Sequence, residues 1–257
     1  MEHSPHPGGE VDLGLRGRTA IVCGASSGMG LAIAEAFAEE GAQVAMFARR
    51  RDVLEREAER LGALAVRGDL TNPRDLERLV ALTLEAFGGI DVLVNNGGGP
   101  PRTPARDLEP EAIEAAVELL LVPAVRLTNL CLPYLERSGH GRVITITSST
   151  VREPADNLVL SNAVRPGIVG WAKTLGREVG PTGVTMNIVA PGRIDTARIA
   201  EVYPDGPTEA DLAAIPLRRL GAPREVADVV CFLASDQAAY VTGAVVPVDG
   251  GLTRGLL

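Results

Sequence analysis

From Leu15 onward the chain alternates two kinds of pattern. Short apolar runs rich in β-branched residues, TAIVCG, QVAMFAR, ALAVRGD, DVLVNNG, RVITITSS, VTMNIVAP and AVVPVDG, are bounded by Gly, Asn, Asp, Ser or Pro and predict strands. Between them lie longer runs with apolar positions every three or four residues, namely LAIAEAFAEEG, DVLEREAERLG, RDLERLVALTLEAFG, PEAIEAAVELLLVPAVRLTNLCLPYLER, residues 162–179 and REVADVVCFLAS. This rhythm predicts an α/β fold, a single doubly wound parallel sheet of Rossmann type, with about seven strands and helices on both faces. No repeat or linker divides it, so residues 15–257 form one predicted domain. The stretch after the sixth strand, up to about Ile215, reads as irregular, and Pro123 invites a kink in the longest helix.

Composition agrees with a buried core: 46% of the 257 residues are hydrophobic and 23% charged. Residues 1–14 are polar and Pro/Gly-rich, a mobile tail without chemistry, and its His3 and His6 are not read as metal ligands. A formal charge of −8 repels nucleic acid and anionic membrane. The apolar runs look shorter than the roughly 20 residues that span a bilayer, so the expectation is a cytoplasmic protein with no nucleic-acid or membrane partner. Cys23, Cys131 and Cys231 are isolated, without CxxC spacing, and read as reduced buried thiols, with no metal site.

The chemistry begins at Gly24, Ala25, Ser26, Ser27, Gly28, Met29 and Gly30, between the first strand and an apolar helix. Glycines there permit a tight turn and close approach of backbone to a pyrophosphate at a helix N-terminus. The second strand ends at Arg49, Arg50 and Arg51. Basic residues at that place suit the 2′-phosphate of NADP(H) better than the 2′-hydroxyl of NAD(H), although such a run also solvates a helix start. Asp69, ending the third strand, is open to two readings: acceptor for an adenine amine, or cap of the next turn.

These residues, with the GDLT segment, Asn95-Asn96-Gly97-Gly98 after a strand, Ser148 in ITSS, Pro191-Gly192 after MNIVA and the ending VTGAVVPVDGG, resemble the short-chain dehydrogenase/reductase family over nearly the whole chain. The resemblance implies that Gly24, Ser26, Ser27, Gly28, Met29 and Gly30 hold the pyrophosphate and ribose of NADP(H), and Arg49 with Arg50 its 2′-phosphate. It likewise places Asp69 and Leu70 at the adenine, Asn95, Asn96 and Gly97 at the ribose side, and Pro191, Gly192 and Ile194 at the nicotinamide. Family members reduce a carbonyl or oxidise an alcohol, 3-oxoacyl reductases among them. They commonly pair through their two long helices, here residues 112–137 and 161–179, so a homodimer or homotetramer is expected. The apolar positions Leu119, Leu120, Leu127 and Leu130 fit that face, and fit helix-on-sheet packing equally.

The family's proton chemistry relies on a tyrosine, a lysine four residues on, a serine and an asparagine on the preceding helix. Ser148 occupies the serine position, whereas Ser161 stands at the tyrosine, Arg165 at the lysine, and Leu120 on or beside the asparagine. No shift of register restores the pair, because Lys173 is the only lysine and Val169 precedes it by four. Arg165 cannot exchange a proton as the phenol does; its fork of donors suits the nicotinamide ribose, a carboxylate or a carbonyl oxygen, and equally a plain ion pair. Ser161 and Asn162 also read as helix-start residues, with Pro166 then distorting the first turn and biasing Arg165 away from helical angles. Tyr203, in the loop expected to face the substrate, is the one tyrosine able to swing in. The acidic residues Asp205, Glu209 and Asp211 of that loop disfavour a very acidic substrate. The residues thus predict an NADP(H)-dependent oxidoreductase for a small carbonyl or alcohol, with Ser148, Ser161 and Arg165 as altered catalytic group. A cofactor-binding scaffold without turnover, partner to an active relative, is the alternative, and elimination or isomerisation on the same scaffold a third.

Overall fold

The computed structural model describes residues 11–203 and 205–255. Seven parallel strands stand in the order β3-β2-β1-β4-β5-β6-β7, comprising β1 (Thr19–Cys23), β2 (Gln43–Ala48), β3 (Leu64–Arg67), β4 (Val92–Asn95), β5 (Arg142–Ile146), β6 (Thr185–Pro191) and β7 (Val245–Val248). The strands carry apolar side chains on both pleat faces, which is what a parallel sheet covered on both sides requires. Ala20, Val22, Met46, Val92 and Val94 face one helical layer, and Ile21, Cys23, Phe47 and Leu93 face the other. The first layer holds α1 (Gly28–Glu39), α2 (Arg51–Leu61) and α9 (Pro223–Ala234), contributing Ile33, Phe37, Leu54, Val226 and Val230. The second holds α3 (Pro73–Phe87), α5 (Val122–Ser138) and α6 (Val159–Val179), contributing Leu76, Leu79, Leu127, Leu135 and Ala172.

Strand order reverses between β1 and β4, and the crevice at such a switch point is where doubly wound sheets take ligands. Both carboxyl ends there are tied, since Asn96 Nδ2, just past β4, donates to Cys23 O at 3.1 Å. At the far edge Asn187 of β6 is buried and bridges two backbone groups, donating to Val241 O at 2.7 Å and accepting from Ala244 N at 3.1 Å.

Several expectations need correction. The longest helix is two, α4 (Pro110–Leu120) and α5, parted at Leu121; Pro123 has no N–H to offer the carbonyl of Leu119. Leu120 and Leu127 belong to the intramolecular core, leaving Leu119 and Leu130 half-buried. Together Pro110–Ser138 is long and apolar enough to cross a membrane, an exception to the expectation that all apolar runs are short. Here it packs as a core element, α5 lying on α3 and β4 and α4 on α6. The segment read as irregular contains α7 (Ala197–Val202) and α8 (Glu209–Ala213). Residues 1–10 of the expected tail lie outside the described residues, but Asp12 and Leu13 are anchored: Gln237 Nε2 donates to Asp12 O at 2.6 Å and Asp236 N to Leu13 O at 3.2 Å. Asn187→Ala leaves two buried backbone groups unpaired and should lower stability by about 2–4 kcal/mol, read as a lower urea midpoint at unchanged slope.

Candidate functional site

The glycine turn is built by close approach. Gly24 (φ +63°) and Gly28 (φ +57°) adopt left-handed angles. A Cβ on Gly30 would lie 2.2 Å from Gly24 O, so the first turn of α1 can cross the end of β1 only where a side chain is missing. Ser27 caps α1 in extended conformation without a side-chain hydrogen bond, which leaves the first amides and the positive helix end for an outside acceptor. This is a cradle suited to a pyrophosphate.

The basic end of β2 lies against that turn. Arg50 is exposed, and its NH2 group lies 3.4 Å from both the carbonyl and the hydroxyl of Ser26. Arg49 is exposed next to it, its carbonyl accepting from Arg67 Nε at 3.4 Å. Asp69 caps the next turn, one carboxylate oxygen accepting from Thr71 N at 2.9 Å and from Thr71 Oγ1 at 2.8 Å, while its second oxygen takes no part in this cap. The Thr71 amide is the main reason that this carboxyl is held below its ordinary value. Asn95 is buried and donates to Thr128 Oγ1 at 3.0 Å, and Asn96 is the β1 tie described above, so both amides hold framework.

At the other end of the crevice β5 delivers Ser148. Its hydroxyl accepts from Thr150 N at 3.3 Å, and Thr150 Oγ1 pairs with Ser161 Oγ at 2.9 Å, which joins Ser148 and Ser161 through one residue. The helix-start reading of Ser161 and Asn162 does not hold. Leu158 is the N-cap of α6, and Asn162 instead clamps Ala155, accepting from its N at 3.2 Å and donating to its O at 2.9 Å. With the start moved back to Val159, Pro166 sits in the interior of a continuous helix and Arg165 is a helical residue. The side-chain amide of Asn162, fastened to a loop rather than to its own helix, explains why a cap preference misled.

Arg165 is 8% exposed, and among the described residues its guanidinium has no hydrogen-bond or ion-pair partner; its Nε is fully buried. It lines a cavity of about 30 Å³ with Asn95, Gly97, Leu120, Thr145 and Ile168, room for one or two waters. Thr145 Oγ1 on the same wall is also buried without a partner. Burial, and then the positive charge of Arg198, push the Arg165 guanidinium down to about 10, so it is charged at neutral pH.

The loop after β6 completes the rim. Gly192 lets the end of β7 come close, since a Cβ there would lie 2.7 Å from that of Asp249. Pro191 and Ile194 are buried, Ile194 inside the core against Gly221. Tyr203 is held within its own loop, its ring under the Arg193 guanidinium at 5.9 Å. Three neighbours escaped the sequence reading. Thr145 was hidden in an alternating strand whose other face is core; Thr196, whose methyl would lie 3.2 Å from a Cβ on Gly28, and Arg198, which donates to Pro100 O at 2.8 Å, fall in the stretch read as irregular.

Comparison with known proteins agrees with this geometry. Residues 24–253 match the model of a family described as enoyl-(acyl carrier protein) reductase. The 3-oxoacyl-[acyl-carrier-protein] reductase of Vibrio cholerae is 36% identical over 93% of this chain and 99% of its own length. The L-sorbose reductase of Gluconobacter frateurii, solved with NADPH and L-sorbose, superposes with a TM-score of 0.90 at 31% identity, covering 96% of this chain and all of that one. An NADPH-bound short-chain oxidoreductase of Pseudomonas aeruginosa PAO1, described as containing an atypical catalytic center, superposes at 0.88 with 28% identity, over 93% of this chain and 97% of the other.

Two outcomes follow. Gly30→Ala should destabilise by about 1–3 kcal/mol through forced backbone movement, measured by urea unfolding. Arg165→Met should do the reverse, raising stability by about 1–4 kcal/mol because an uncompensated buried charge is replaced by an apolar chain of similar length; a fall in the unfolding midpoint would show that the charge holds the fold together.

Proposed function

The chain belongs to the short-chain dehydrogenase/reductase family, and from that premise we propose that it is an NADP(H)-dependent oxidoreductase for the carbonyl/alcohol pair of a small molecule, working without a phenolic acid. The observation that carries this proposal is Arg165, buried and without an ion-pair or hydrogen-bond partner among the described residues, one turn along α6 from Ser161, whose hydroxyl pairs with that of Thr150, the residue whose amide donates to Ser148; its cavity shares Asn96 with the glycine turn at the start of α1.

The turn fits the cofactor's pyrophosphate, because Gly24, Gly28 and Gly30 leave the volume that side chains would fill and the amides after Ser27 lack an internal acceptor. Ser26, Ser27 and Met29 flank it, Arg49 and Arg50 provide for the 2′-phosphate, Leu70, Asn95, Asn96 and Gly97 form the adenine and ribose wall, and Pro191, Gly192, Ile194 and Thr196 border the nicotinamide end. NADP(H), when bound, supplies or accepts the hydride. Ser148 binds the reacting oxygen. Arg165 stabilises the negative charge that develops there, acting through its field because a guanidinium does not serve as proton donor. Ser161 pairs with the Thr150 hydroxyl and so holds the residue whose backbone N–H donates to Ser148. The proton comes from water, for which the cavity next to Arg165 has room. The Pseudomonas aeruginosa neighbour, an oxidoreductase with its own atypical centre, favours turnover over the scaffold alternative. Self-association as a dimer or tetramer through α4, α5 and α6 is part of the same proposal, with Leu119 of α4 and Leu130 of α5 as half-buried contact positions.

NADPH should bind more tightly than NADH in a titration followed by nicotinamide fluorescence. Arg50→Ala, or Arg49→Ala, should weaken NADPH by about 10- to 100-fold, the worth of a charge-assisted hydrogen bond, and leave NADH unaffected. Equal binding of the two nucleotides would remove the 2′-phosphate assignment. Ser148→Ala should lower kcat by about 10²- to 10³-fold, and unchanged turnover of an identified substrate would exclude Ser148 as oxygen ligand. With water as proton source and Arg165 as the charge, kcat/KM should be flat from pH 6 to about 9 and fall as Arg165 loses its proton near 10. A bell-shaped profile centred near neutrality would reveal a titrating side-chain acid instead.

A further inference from the structure

A second concave site lies away from the crevice, at the outer edge of β3. β3 ends the sheet and pairs on one side only, with β2, while α2 and α3 cover its two faces and leave a groove between them. The groove has a volume of about 310 Å³ and is lined by Arg51 and Glu55 of α2, Ala65, Val66 and Arg67 of β3, and Arg78 and Leu82 of α3. Small-molecule pockets span about 300–1,000 Å³, so this one has room for a compact ligand.

In a chain of net charge −8, three arginines converge here from three different elements. Their internal bonds use few of their donors. Arg51 gives Nε to Glu55 at 2.8 Å, Arg78 gives its NH2 group to Asp75 at 2.9 Å and to the Arg67 carbonyl, and Arg67 gives Nε to the Arg49 carbonyl at 3.4 Å. Among the described residues, the two terminal nitrogens of Arg51 and of Arg67, and Nε and NH1 of Arg78, have no protein acceptor. Glu55 and Asp75 offset Arg51 and Arg78, and Arg67 has no carboxylate partner among the described residues. Donors arriving from three directions suit a tetrahedral acceptor. A phosphate monoester offers three strongly accepting oxygens and a charge of about −1.5 to −2 at neutral pH, whereas a carboxylate offers two coplanar oxygens and a single charge. Ala65, Val66 and Leu82 give the organic part of such an ester an uncharged floor.

The groove adjoins the basic end of the crevice. Arg67 holds the Arg49 carbonyl, and Asp75, the partner of Arg78, accepts from Asp69 N at 2.9 Å through its other oxygen. Arg51 follows Arg49 and Arg50 directly in the chain. A dianion in the groove therefore lowers the positive potential that these arginines offer to a second phosphate. We propose that the β3-edge groove is an accessory site for the phosphate monoester of a small organic molecule, held by Arg51, Arg67 and Arg78, and that its occupation weakens NADPH. The binding stands on the groove alone; the effect on NADPH rests on the oxidoreductase proposal and its assignment of Arg49 and Arg50.

The test titrates the full chain by calorimetry with phenyl phosphate, and with benzoate and phenol as the singly charged and neutral comparisons. Phenyl phosphate should bind about tenfold or more tightly than benzoate, and phenol should not bind. Arg67→Gln and Arg78→Gln should each weaken phenyl phosphate by about 5- to 20-fold, and Glu55→Gln should tighten it. Arg74→Gln, which removes an exposed charge of α3 outside the groove, should leave it unchanged. Saturating phenyl phosphate should raise the Kd of NADPH several-fold to a plateau and move that of NADH less. A Kd that climbs with phenyl phosphate without levelling would put the ester in the 2′-phosphate site itself and overturn the proposal. Equal losses in Arg74→Gln and Arg67→Gln would mark a general attraction to positive charge and overturn it too, as would the absence of binding or of any preference over benzoate. Binding in the groove with NADPH affinity unmoved overturns the coupling. If NADPH does not bind the unaltered protein, the oxidoreductase proposal fails, and the variant series on the cofactor-free chain still decides the groove.

Discussion

Everything at the candidate site depends on how closely α1 can pass the end of β1. The first turn of that helix lies so near the Gly24 carbonyl that no side chain fits at position 30, and the Asn96 amide on the other side fastens β4 to β1 through Cys23 O. These contacts bring two strand ends and one helix N-terminus to a single point, at the place where the strand order reverses. The crevice is thus a product of packing between α1, β1 and β4, independent of any catalytic group. That independence allows the catalytic residues to change while the nucleotide end keeps its form.

Arg165 is the opposite case, a group that packing alone would not choose. A buried cation without an ion-pair partner among the described residues violates the consistency expected of a minimally frustrated fold, and such violations concentrate at functional sites. The fold tolerates it because α6 is secured elsewhere, by Leu160, Val164 and Ile168 against α4 and by the Asn162 clamp on Ala155. The interior Pro166 removes one backbone bond beside Arg165 without ending the helix.

The strands were legible in the sequence because both their faces are apolar, so each appears as an unbroken run between turn residues. The glycine turn was legible because its spacing answers to a steric demand. The missing Tyr and Lys were a matter of counting. Hidden were properties that depend on partners distant in sequence. Nothing in the segment around Asn162 shows that its amide reaches Ala155, so the start of α6 was placed too late and Arg165 was expected outside helical geometry. Asp69 left two readings until Thr71 was seen to occupy one of its oxygens. That Arg165 has no partner among the described residues depends on everything folded around it, and only the assembled chain can show it.

The chemistry that remains is a separation of roles which a tyrosine and lysine ordinarily join. A phenol tuned by a neighbouring cation both binds the reacting oxygen and exchanges its proton; in the proposed mechanism the oxygen ligand is a serine, the cation a guanidinium and the proton donor a water. Losing a positioned acid costs about 10²- to 10⁴-fold in rate. A preorganised donor or charge at the developing oxyanion contributes about 10²- to 10³-fold, and more when water is excluded around it. The two are of similar size, so replacing acid catalysis by electrostatic catalysis slows the reaction without abolishing it. Because a guanidinium at about 10 keeps its charge throughout the neutral range, such a site also loses the pH sensitivity that a tuned phenol confers.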